Sequence, residues 1–351
     1  MIRRRTFLSS VLTALVLSTV LSTANVQAAT VNRVDGGAGG RIGTANKVAT
    51  DLFGTATNVV LVNGYGYADA VSATPLAKQL NAPILLTGGK ILEPEVAATI
   101  QSLGASKVYI VGGSGVVSST VENMLKEKYT VERITGTTDS TRMGTNAEVA
   151  KKVLSLSGQK TAVLVNGQDG YADALSVASI AAQKGYPVLF GSSKTVAPVV
   201  TDVVTQNGLS VLAVGGEGVL PQSVASIVGG TKITQAADSK NRFSTNLAVL
   251  KYFNNNGGLD FTNIYVAAGG AAPDQFADAL VASAAAAKTG SPLVLSGTGA
   301  DESQVLAAQD YILANASDTS KISIIGGTAS VSDTIKTNLQ VSDTLEIIGI
   351  E

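Results

Sequence analysis

One twenty-residue stretch occurs three times in the chain. It reads YADAVSATPLAKQLNAPILL at residues 67–86, YADALSVASIAAQKGYPVLF at 171–190 and FADALVASAAAAKTGSPLVL at 276–295. The copies align without a gap, and they begin 104 and 105 residues apart. Self-similarity at a fixed period of this length predicts three modules of about a hundred residues, each a small domain in its own right.

Strands and helices alternate within each module. The run NVVLV (58–62) is continuous and apolar, which is typical of a strand buried on both faces. A glycine-broken loop and an Ala-rich helix follow it, and a proline then opens a second short apolar segment. A third apolar run, KVYIV (107–111), is closed by Gly112-Gly113. This alternation predicts the α/β class, with a mostly parallel sheet covered by helices on both faces.

Similar short strands mark the module borders. They read VNRVDG (31–36), VERITG (131–136), TKITQA (231–236) and, more weakly, LEIIGI (345–350). Three modules have four such segments, which suggests that the last one completes a sheet. The predicted modules are residues 30–131, 132–230 and 231–351. Few linker residues separate them, so we expect a compact pseudo-threefold ring.

The composition excludes several kinds of site. The 351-residue chain has no His, no Cys and no Trp. A Ser-His-Asp triad, a Cys nucleophile and an ordinary zinc site are therefore excluded, and no metal or cofactor is predicted. Glycosidase chemistry needs only two carboxylates, so it stays open. The formal net charge is −1, without the basic excess that nucleic-acid binding requires.

Residues 1–29 are predicted to be a secretion signal. Three arginines at positions 3–5 precede an apolar core, VLTALVLSTVL (11–21). The segment Val26-Gln27-Ala28 resembles the small-residue cleavage site of a signal peptide. The other interpretation is an uncleaved membrane anchor. No other window reaches the ~18 apolar residues of a membrane span, so we expect no membrane contact after cleavage.

One aspartate recurs in every copy of the repeated stretch, namely Asp69, Asp173 and Asp278. Each is predicted to lie in the first turn of a helix, where the helix dipole favours a carboxylate and backbone N–H groups lack partners. This structural role is sufficient to explain the residue. The functional interpretation is that the preceding loop lies at the carboxyl edge of a parallel sheet, where ligands usually bind. Both interpretations remain open.

One arginine also recurs, as Arg41, Arg142 and Arg242, each before a predicted short helix. In the first module, that helix is predicted over residues 44–53 with Thr44 as its N-cap. A cation at a helix N-terminus opposes the macrodipole, so a partner must outweigh the penalty. That partner is either the aspartate of the same module or an anionic ligand bound in a bidentate manner.

Two further patterns are weighed against simpler explanations. The segments Gly112–Gly115 and Gly215–Gly218 suggest phosphate cradles, but they lack the spacing of a dinucleotide fingerprint, and tight turns explain them better. An enzyme of the glycosidase type needs two unlike carboxylates in one cleft, whereas the repeated feature is one aspartate per module. A site that is repeated once in each module favours multivalent binding, so the chain is predicted not to be an enzyme.

Taken together, the [YF]ADA helix, the proline with its apolar strand, the GG turn and the Arg-x-x-Thr opening resemble the cell wall binding repeat 2 family of Gram-positive surface proteins. The resemblance implies Rossmann- or Toprim-like modules, three of which pack into a triangular pseudo-trimer. It implies non-covalent anchoring of a secreted protein at the cell surface through an anionic or teichoic-acid-like wall polymer, and other surface proteins as further partners. A carbohydrate-active enzyme that remodels the wall through the repeated aspartates is the alternative.

By the same resemblance, ligand contacts fall in grooves between the modules. The implied residues are the three arginines, the three aspartates and the proline-led strands: Pro83, Ile84, Leu85 and Leu86; Pro187, Val188, Leu189 and Phe190; and Pro292, Leu293, Val294 and Leu295. The residues flanking Arg41 and Arg142 depart from the family pattern, while Asn241 and Phe243 fit it. The three sites are therefore expected to be unequal.

Overall fold

A computed structural model describes residues 29–235, 237–272 and 275–340. The sequence-based predictions for residues 1–28 and for the last border segment (345–350) lie outside these ranges. Among the described residues, no helix combines the length and the apolar character needed to cross a membrane.

Helices and strands alternate as predicted, and their bounds follow the three repeats. The first repeat contains β1 (Thr30–Val34), α1 (Gly40–Phe53), β2 (Asn58–Asn63), α2 (Tyr67–Gln79), β3 (Ile84–Thr87), α3 (Pro94–Ser102), β4 (Lys107–Val111) and α4 (Ser119–Lys126). The second contains β5 (Thr130–Ile134), α5 (Arg142–Ser157), β6 (Thr161–Asn166), α6 (Ala172–Lys184), β7 (Val188–Gly191), α7 (Pro198–Asn207), β8 (Ser210–Ala213) and α8 (Gln222–Ala225). The third contains β9 (Thr231–Lys232), α9 (Arg242–Asn255), β10 (Asn263–Ala268), α10 (Ala277–Thr289), β11 (Leu293–Ser296), α11 (Glu302–Asn315), β12 (Lys321–Ile325) and α12 (Asp333–Gln340).

Each repeat builds one four-stranded sheet, and every strand pair in the three sheets is parallel. The strand orders are β3-β2-β4-β5, β7-β6-β8-β9 and β11-β10-β12-β1. The predicted α/β class with three tandem parallel-sheet modules is therefore confirmed. In every module the strand before the repeated helix (β2, β6 or β10) is central, which explains its continuous apolar sequence.

The fourth strand of each sheet comes from the border segment of the next module. Strand β5 pairs with β4, β9 pairs with β8, and β1 pairs with β12 in register from Thr30 opposite Lys321 to Val34 opposite Ile325. The ring is thus closed by the N-terminal border segment. Strand β1 occupies the position beside β12, and residues 345–350, which were expected to complete the last sheet, lie outside the described residues. In a closed ring, the first border segment is the one that the last module meets.

The three repeated helices α2, α6 and α10 pack against one another around the pseudo-threefold axis. All three helices contain many Ala residues, and small side chains such as Ala178, Ala282 and Ser283 are fully buried. Small side chains let the helix backbones approach closely. Each central helix also contacts the arginine-bearing helix of the following module: α2 contacts α5, α6 contacts α9, and α10 contacts α1.

The aromatic residues that open the repeated stretches meet at this axis. Ring centroids of Tyr67 and Tyr171 lie 5.6 Å apart, those of Tyr171 and Phe276 5.7 Å, and those of Tyr67 and Phe276 6.3 Å. Tilted and edge-on pairs at these distances are favourable for aromatic rings. The alignment of the repeats identifies the aromatic position, but its place at the axis follows only from the closed ring.

The arginine-bearing helices begin earlier than predicted. Arg142 and Arg242 are the first residues of α5 and α9, and Arg41 is the second residue of α1. Thr44 lies inside α1, and its hydroxyl donates to the Gly40 carbonyl (3.0 Å) and accepts from the Gly36 N–H. Thr44 is therefore not the N-cap. Each arginine lies within the first turn of its helix instead of preceding it.

Candidate functional site

A cleft opens at each of the three junctions between modules, at the carboxyl ends of the parallel strands. Each cleft is lined by the aspartate of one module and the arginine of the next: Asp69 with Arg142, Asp173 with Arg242, and Asp278 with Arg41. We name the clefts by these pairs. Their cavity volumes are about 540 Å³, 460 Å³ and 360 Å³ in that order. The helix pairs that frame them are the same at all three junctions, so the clefts are structurally equivalent.

Each guanidinium is fixed by carbonyl groups of its own module. Arg41 donates to the Gly64 carbonyl (2.8 Å), and Arg242 donates to the Gly269 and Gly270 carbonyls (2.7 and 2.6 Å). Arg142 donates to the Gln168 carbonyl at 3.2 Å. These carbonyls belong to the loop between the central strand and the repeated helix, so the arginine clamps that loop.

Two of the arginines also reach the aromatic cluster of the preceding module. Arg142 donates to the Tyr67 hydroxyl at 2.5 Å, and Arg242 donates to the Tyr171 hydroxyl at 3.0 Å. The equivalent residue for Arg41 is Phe276, which has no hydroxyl, and the Arg41 guanidinium carbon lies 5.9 Å from its ring centroid. The Asp278–Arg41 cleft thus differs from the other two by one hydrogen bond.

The positive charges of the three arginines remain available to a ligand. All three are half-buried. Within the described ranges, the salt bridges involve other cations, and none joins Arg41, Arg142 or Arg242 to a carboxylate. One expected partner was the aspartate of the same module, and this direct arginine–aspartate contact does not form. The aspartate that shares the cleft belongs to the neighbouring module.

The repeated aspartates lie in the first turn of their helices, as predicted, but they do not cap backbone N–H groups in the part of the chain that the structure describes. Burial raises the pKa of Asp69 to about 6 against the opposing effect of Arg142. Burial likewise raises the pKa of Asp173 to about 6, opposed by Lys232, Arg242 and the Thr245 hydroxyl. These carboxylates are therefore partly protonated near pH 6, when they can donate as well as accept hydrogen bonds.

Asp278 differs in its partners. Burial raises its pKa, while the Ser330 hydroxyl, which donates to its Oδ2 at 2.7 Å, and Arg41 lower it. Asp35 lies in the same cleft and adds a second negative charge, which raises the pKa further. The charge balance is thus not the same in the three clefts.

The GG turns accommodate the aspartates. The first glycine of each turn, Gly112, Gly215 or Gly326, has a positive φ of 110° to 134°. A Cβ added at Gly112 or Gly215 would lie 2.6 or 2.8 Å from the Oδ2 atom of Asp69 or Asp173, and one at Gly326 would lie closer still to Asp278. These glycines are therefore needed for close approach of the carboxylate, which supports the tight-turn interpretation over a phosphate cradle.

Replacing Gly215 by alanine is expected to destabilise the fold by about 2 kcal/mol, because the backbone conformation disfavours an L-residue and the new methyl group meets Asp173. Urea unfolding monitored by circular dichroism measures this loss. Gly218→Ala in the same turn is the matched control, since no atom lies within 4 Å of its Cβ position. Equal stability of the two variants would contradict the proposed contact.

The proline-led strands lie elsewhere. Pro83 to Leu86, Pro187 to Phe190 and Pro292 to Leu295 are buried, and the side chains of β3, β7 and β11 are at most 3% exposed. None of these twelve residues lines one of the three clefts. Their apolar side chains fill the cores of the modules in this structure. Their part in ligand contact stays an untested prediction.

Sequence reasoning missed a second set of cations on the border strands. Arg33 donates to the Gly326 carbonyl (2.8 Å), Arg133 donates to the Gly112 carbonyl (2.7 Å), and Lys232 donates to the Leu220 carbonyl (2.7 Å). These bonds tie the fourth strand of each sheet to the turn behind the aspartate. The border-segment alignment contains the signal, since all three residues precede Val or Ile.

The ligand-binding potential of the clefts comes from polar groups and aromatic rings. Among the residues that the structure describes, no three acidic side chains are grouped so that they could hold a metal ion. A half-buried guanidinium beside a partly protonated carboxylate offers charge-assisted hydrogen bonds to acid groups and neutral ones to hydroxyls. The fold and these clefts define a three-module protein with an equivalent candidate site at each junction.

The sequence pattern of the family described as Cell wall binding domain 2 (CWB2) matches residues 36–122, 133–225 and 237–336. The chain therefore belongs to this family, and the resemblance inferred from the motifs is confirmed. Its three repeats are cell wall binding domains, and domains of this kind imply a location at the cell surface.

Known proteins with the same architecture support this assignment. The N-acetylmuramoyl-L-alanine amidase LytC of Bacillus subtilis (strain 168) is 33% identical over 313 residues, covering 88% of this chain and 58% of LytC. The structure of Cwp8 from Clostridium difficile superposes with a TM-score of 0.74 at 28% identity, covering 88% of this chain and 51% of Cwp8. Cwp6 from the same organism gives a TM-score of 0.75 at 25% identity, covering 90% of this chain and 48% of Cwp6. The chain thus spans about half the length of these relatives.

Proposed function

We propose that the three clefts bind an anionic polysaccharide of the Gram-positive cell wall, and that this non-covalent contact anchors a secreted protein at the surface. The observation that carries the proposal is the arginine at each junction, which is half-buried and has no carboxylate in salt-bridge contact among the described residues. An acid group of the polymer would supply the missing counter-charge. The predicted secretion signal (residues 1–29) and the module borders 30–131, 132–230 and 231–351 belong to the same proposal.

Three sites on one rigid body suit a repetitive ligand. When one repeating unit is bound, the next meets its cleft at a high effective concentration, so three weak contacts give a strong attachment. The carbonyl and tyrosine contacts fix the arginine side chains before the ligand arrives. This preorganisation reduces the side-chain entropy that binding would otherwise cost.

The proposal is tested by co-sedimentation with purified Gram-positive cell walls before and after acid extraction of the anionic polymer. We expect retention on intact walls and loss of retention on extracted walls. Retention should also weaken as salt rises, because the contact is between charges near the surface. Unchanged retention on extracted walls would overturn the choice of polymer, while wall binding itself would stand.

One observation favours the alternative of a wall-remodelling enzyme. The Asp173–Arg242 cleft also contains Asp169, whose pKa is held below its ordinary value by hydrogen bonds from Asn166 and Ser193, whereas burial raises the pKa of Asp173. Two carboxylates with separated pKa values are the pattern of a glycosidase acid–base pair. Release of wall fragments that is lost in Asp173→Asn and kept in Arg142→Ala would favour this enzyme over the binding protein.

A further inference from the structure

One aromatic residue near the clefts is exposed. Tyr65 lies in the loop between β2 and α2, and 62% of it is accessible to solvent. It is the only aromatic among the large apolar residues that are exposed in the described ranges. Its side chain lines the Asp69–Arg142 cleft, which has the largest volume of the three. An exposed aromatic ring at this place is accessible to any ligand that enters the cleft.

The loop holds Tyr65 in a defined position. The Tyr65 N–H donates to Oδ1 of Asn63 (2.7 Å), and Nδ2 of Asn63 donates to the Val116 carbonyl at 2.7 Å. The guanidinium carbon of Arg41 lies 4.7 Å from the Tyr65 ring centroid. Arg41 is fixed in turn by the Gly64 carbonyl. A ring that is held by its backbone and by a cation loses little further entropy when a ligand binds.

This tyrosine also joins two clefts. Tyr65 lines the Asp69–Arg142 cleft, while its neighbour Arg41 lines the Asp278–Arg41 cleft. The stacked pair therefore stands on the strip between these two sites. The corresponding loops of the second and third modules read NGQDGY (166–171) and AGGAAPDQF (268–276), which have no aromatic residue before the one at the axis. The feature belongs to the first module alone.

We propose that Tyr65 is a stacking platform for a sugar ring of the wall polysaccharide, and that the Arg41–Tyr65 pair guides one polymer strand from the Asp278–Arg41 cleft into the Asp69–Arg142 cleft. The inference rests on the proposed function and extends it to the sugar backbone. The face of an aromatic ring is electron-rich, and the C–H groups on one face of a pyranose are positively polarised. Acid groups of the same strand then meet Arg41 on one side and Arg142 on the other.

The first experiment measures binding of the anionic polysaccharide released from Gram-positive walls by acid extraction, using isothermal titration calorimetry. Tyr65→Ala is expected to weaken binding about threefold to tenfold, while Tyr65→Phe keeps the wild-type affinity because stacking needs the ring. Ile91→Ala, which removes another exposed apolar side chain (64% accessible), is the matched control and should bind normally. Wild-type affinity in Tyr65→Ala overturns the inference and leaves the proposed function intact. Absence of binding by the wild-type protein overturns both.

A second experiment separates stacking from an indirect effect through Arg41. If Tyr65 acted only by holding Arg41, then Tyr65→Ala would cause no further loss in an Arg41→Ala background. Stacking on the sugar predicts that the two losses multiply. Its share should also persist at high salt, whereas the loss caused by Arg41→Ala shrinks as salt screens the charge.

A third experiment reports the contact directly. The chain has no Trp, so Tyr65→Trp introduces a single tryptophan at the proposed platform, which can be excited selectively. Addition of the polysaccharide should shift or quench its emission with the same dissociation constant that calorimetry gives. Binding in calorimetry without any change in this emission would show that the polymer passes elsewhere.

Discussion

Replacing Arg41, Arg142 and Arg242 together by alanine is expected to remove the protein from cell walls, with affinity lowered by a factor on the order of a thousand. One charge-assisted hydrogen-bonded contact contributes roughly 1.5–3 kcal/mol, which is about tenfold or more in affinity. The three clefts hold one polymer, so the losses multiply. Single variants should each lose about tenfold. Binding to immobilised wall polymer, followed by surface plasmon resonance at two salt concentrations, measures both effects.

Two control variants make this result specific. The triple change Lys128→Ala, Lys160→Ala and Lys251→Ala removes the same charge from exposed positions outside the clefts and should leave retention nearly unchanged. The triple Arg→Lys variant keeps the charge without the planar fork and should fall between the wild type and the alanine variant. Because the arginines also clamp loops, urea unfolding of each variant must show an intact fold. If the lysine control and the arginine variant lost affinity equally, net charge and not the position of the arginines in the clefts would explain the effect.

Local pattern was sufficient to predict the elements of each module. The run KVYIV (107–111) coincides with β4, and the proline before residues 84–86 marks the start of β3. Apolar β-branched runs bounded by glycine and proline have few alternatives to a buried strand, so their assignment depends little on the rest of the chain. The three-module arrangement followed from the repeat in the same way.

Contacts between distant segments could not be predicted from local pattern. The pairing of β1 with β12 joins residues nearly 300 positions apart, and the sequence suggested a weaker border segment near the C-terminus for the last sheet instead. The predicted pairing of each arginine with the aspartate of its own module does not form, for a related reason. Each cleft combines residues from two modules, and an alignment of modules against one another suggests pairs within a module first. The proline-led strands show the opposite case, because burial in the core is sufficient to explain this repeated motif, and their part in ligand contact stays a prediction.

Raising the pH from 4 to 7 is expected to cost the fold up to about 6 kcal/mol through Asp69 and Asp173 together. Their pKa values are raised from the ordinary 3.8 to about 6 by burial, and one pKa unit corresponds to about 1.4 kcal/mol. Between pH 3.8 and 6 the folded state binds more protons than the unfolded chain. The stability that these protons supply is complete below the lower value and is lost as the pH rises through the upper one.

The double variant Asp69→Asn and Asp173→Asn isolates this effect from carboxylates with lowered pKa values, such as Glu122 and Glu132, which act in the opposite direction at acidic pH. Urea unfolding should show the variant to be as stable as the wild type at pH 4 and more stable at pH 7, by up to about 6 kcal/mol. Asp51→Asn, an exposed aspartate paired with Lys47, is the control and should change stability little at either pH. An equal gain at both pH values would mean that packing, not charge, is responsible. These two carboxylates weaken the fold at neutral pH, so stability does not account for their presence. Their position does, because each one lies in a cleft beside the arginine of the next module.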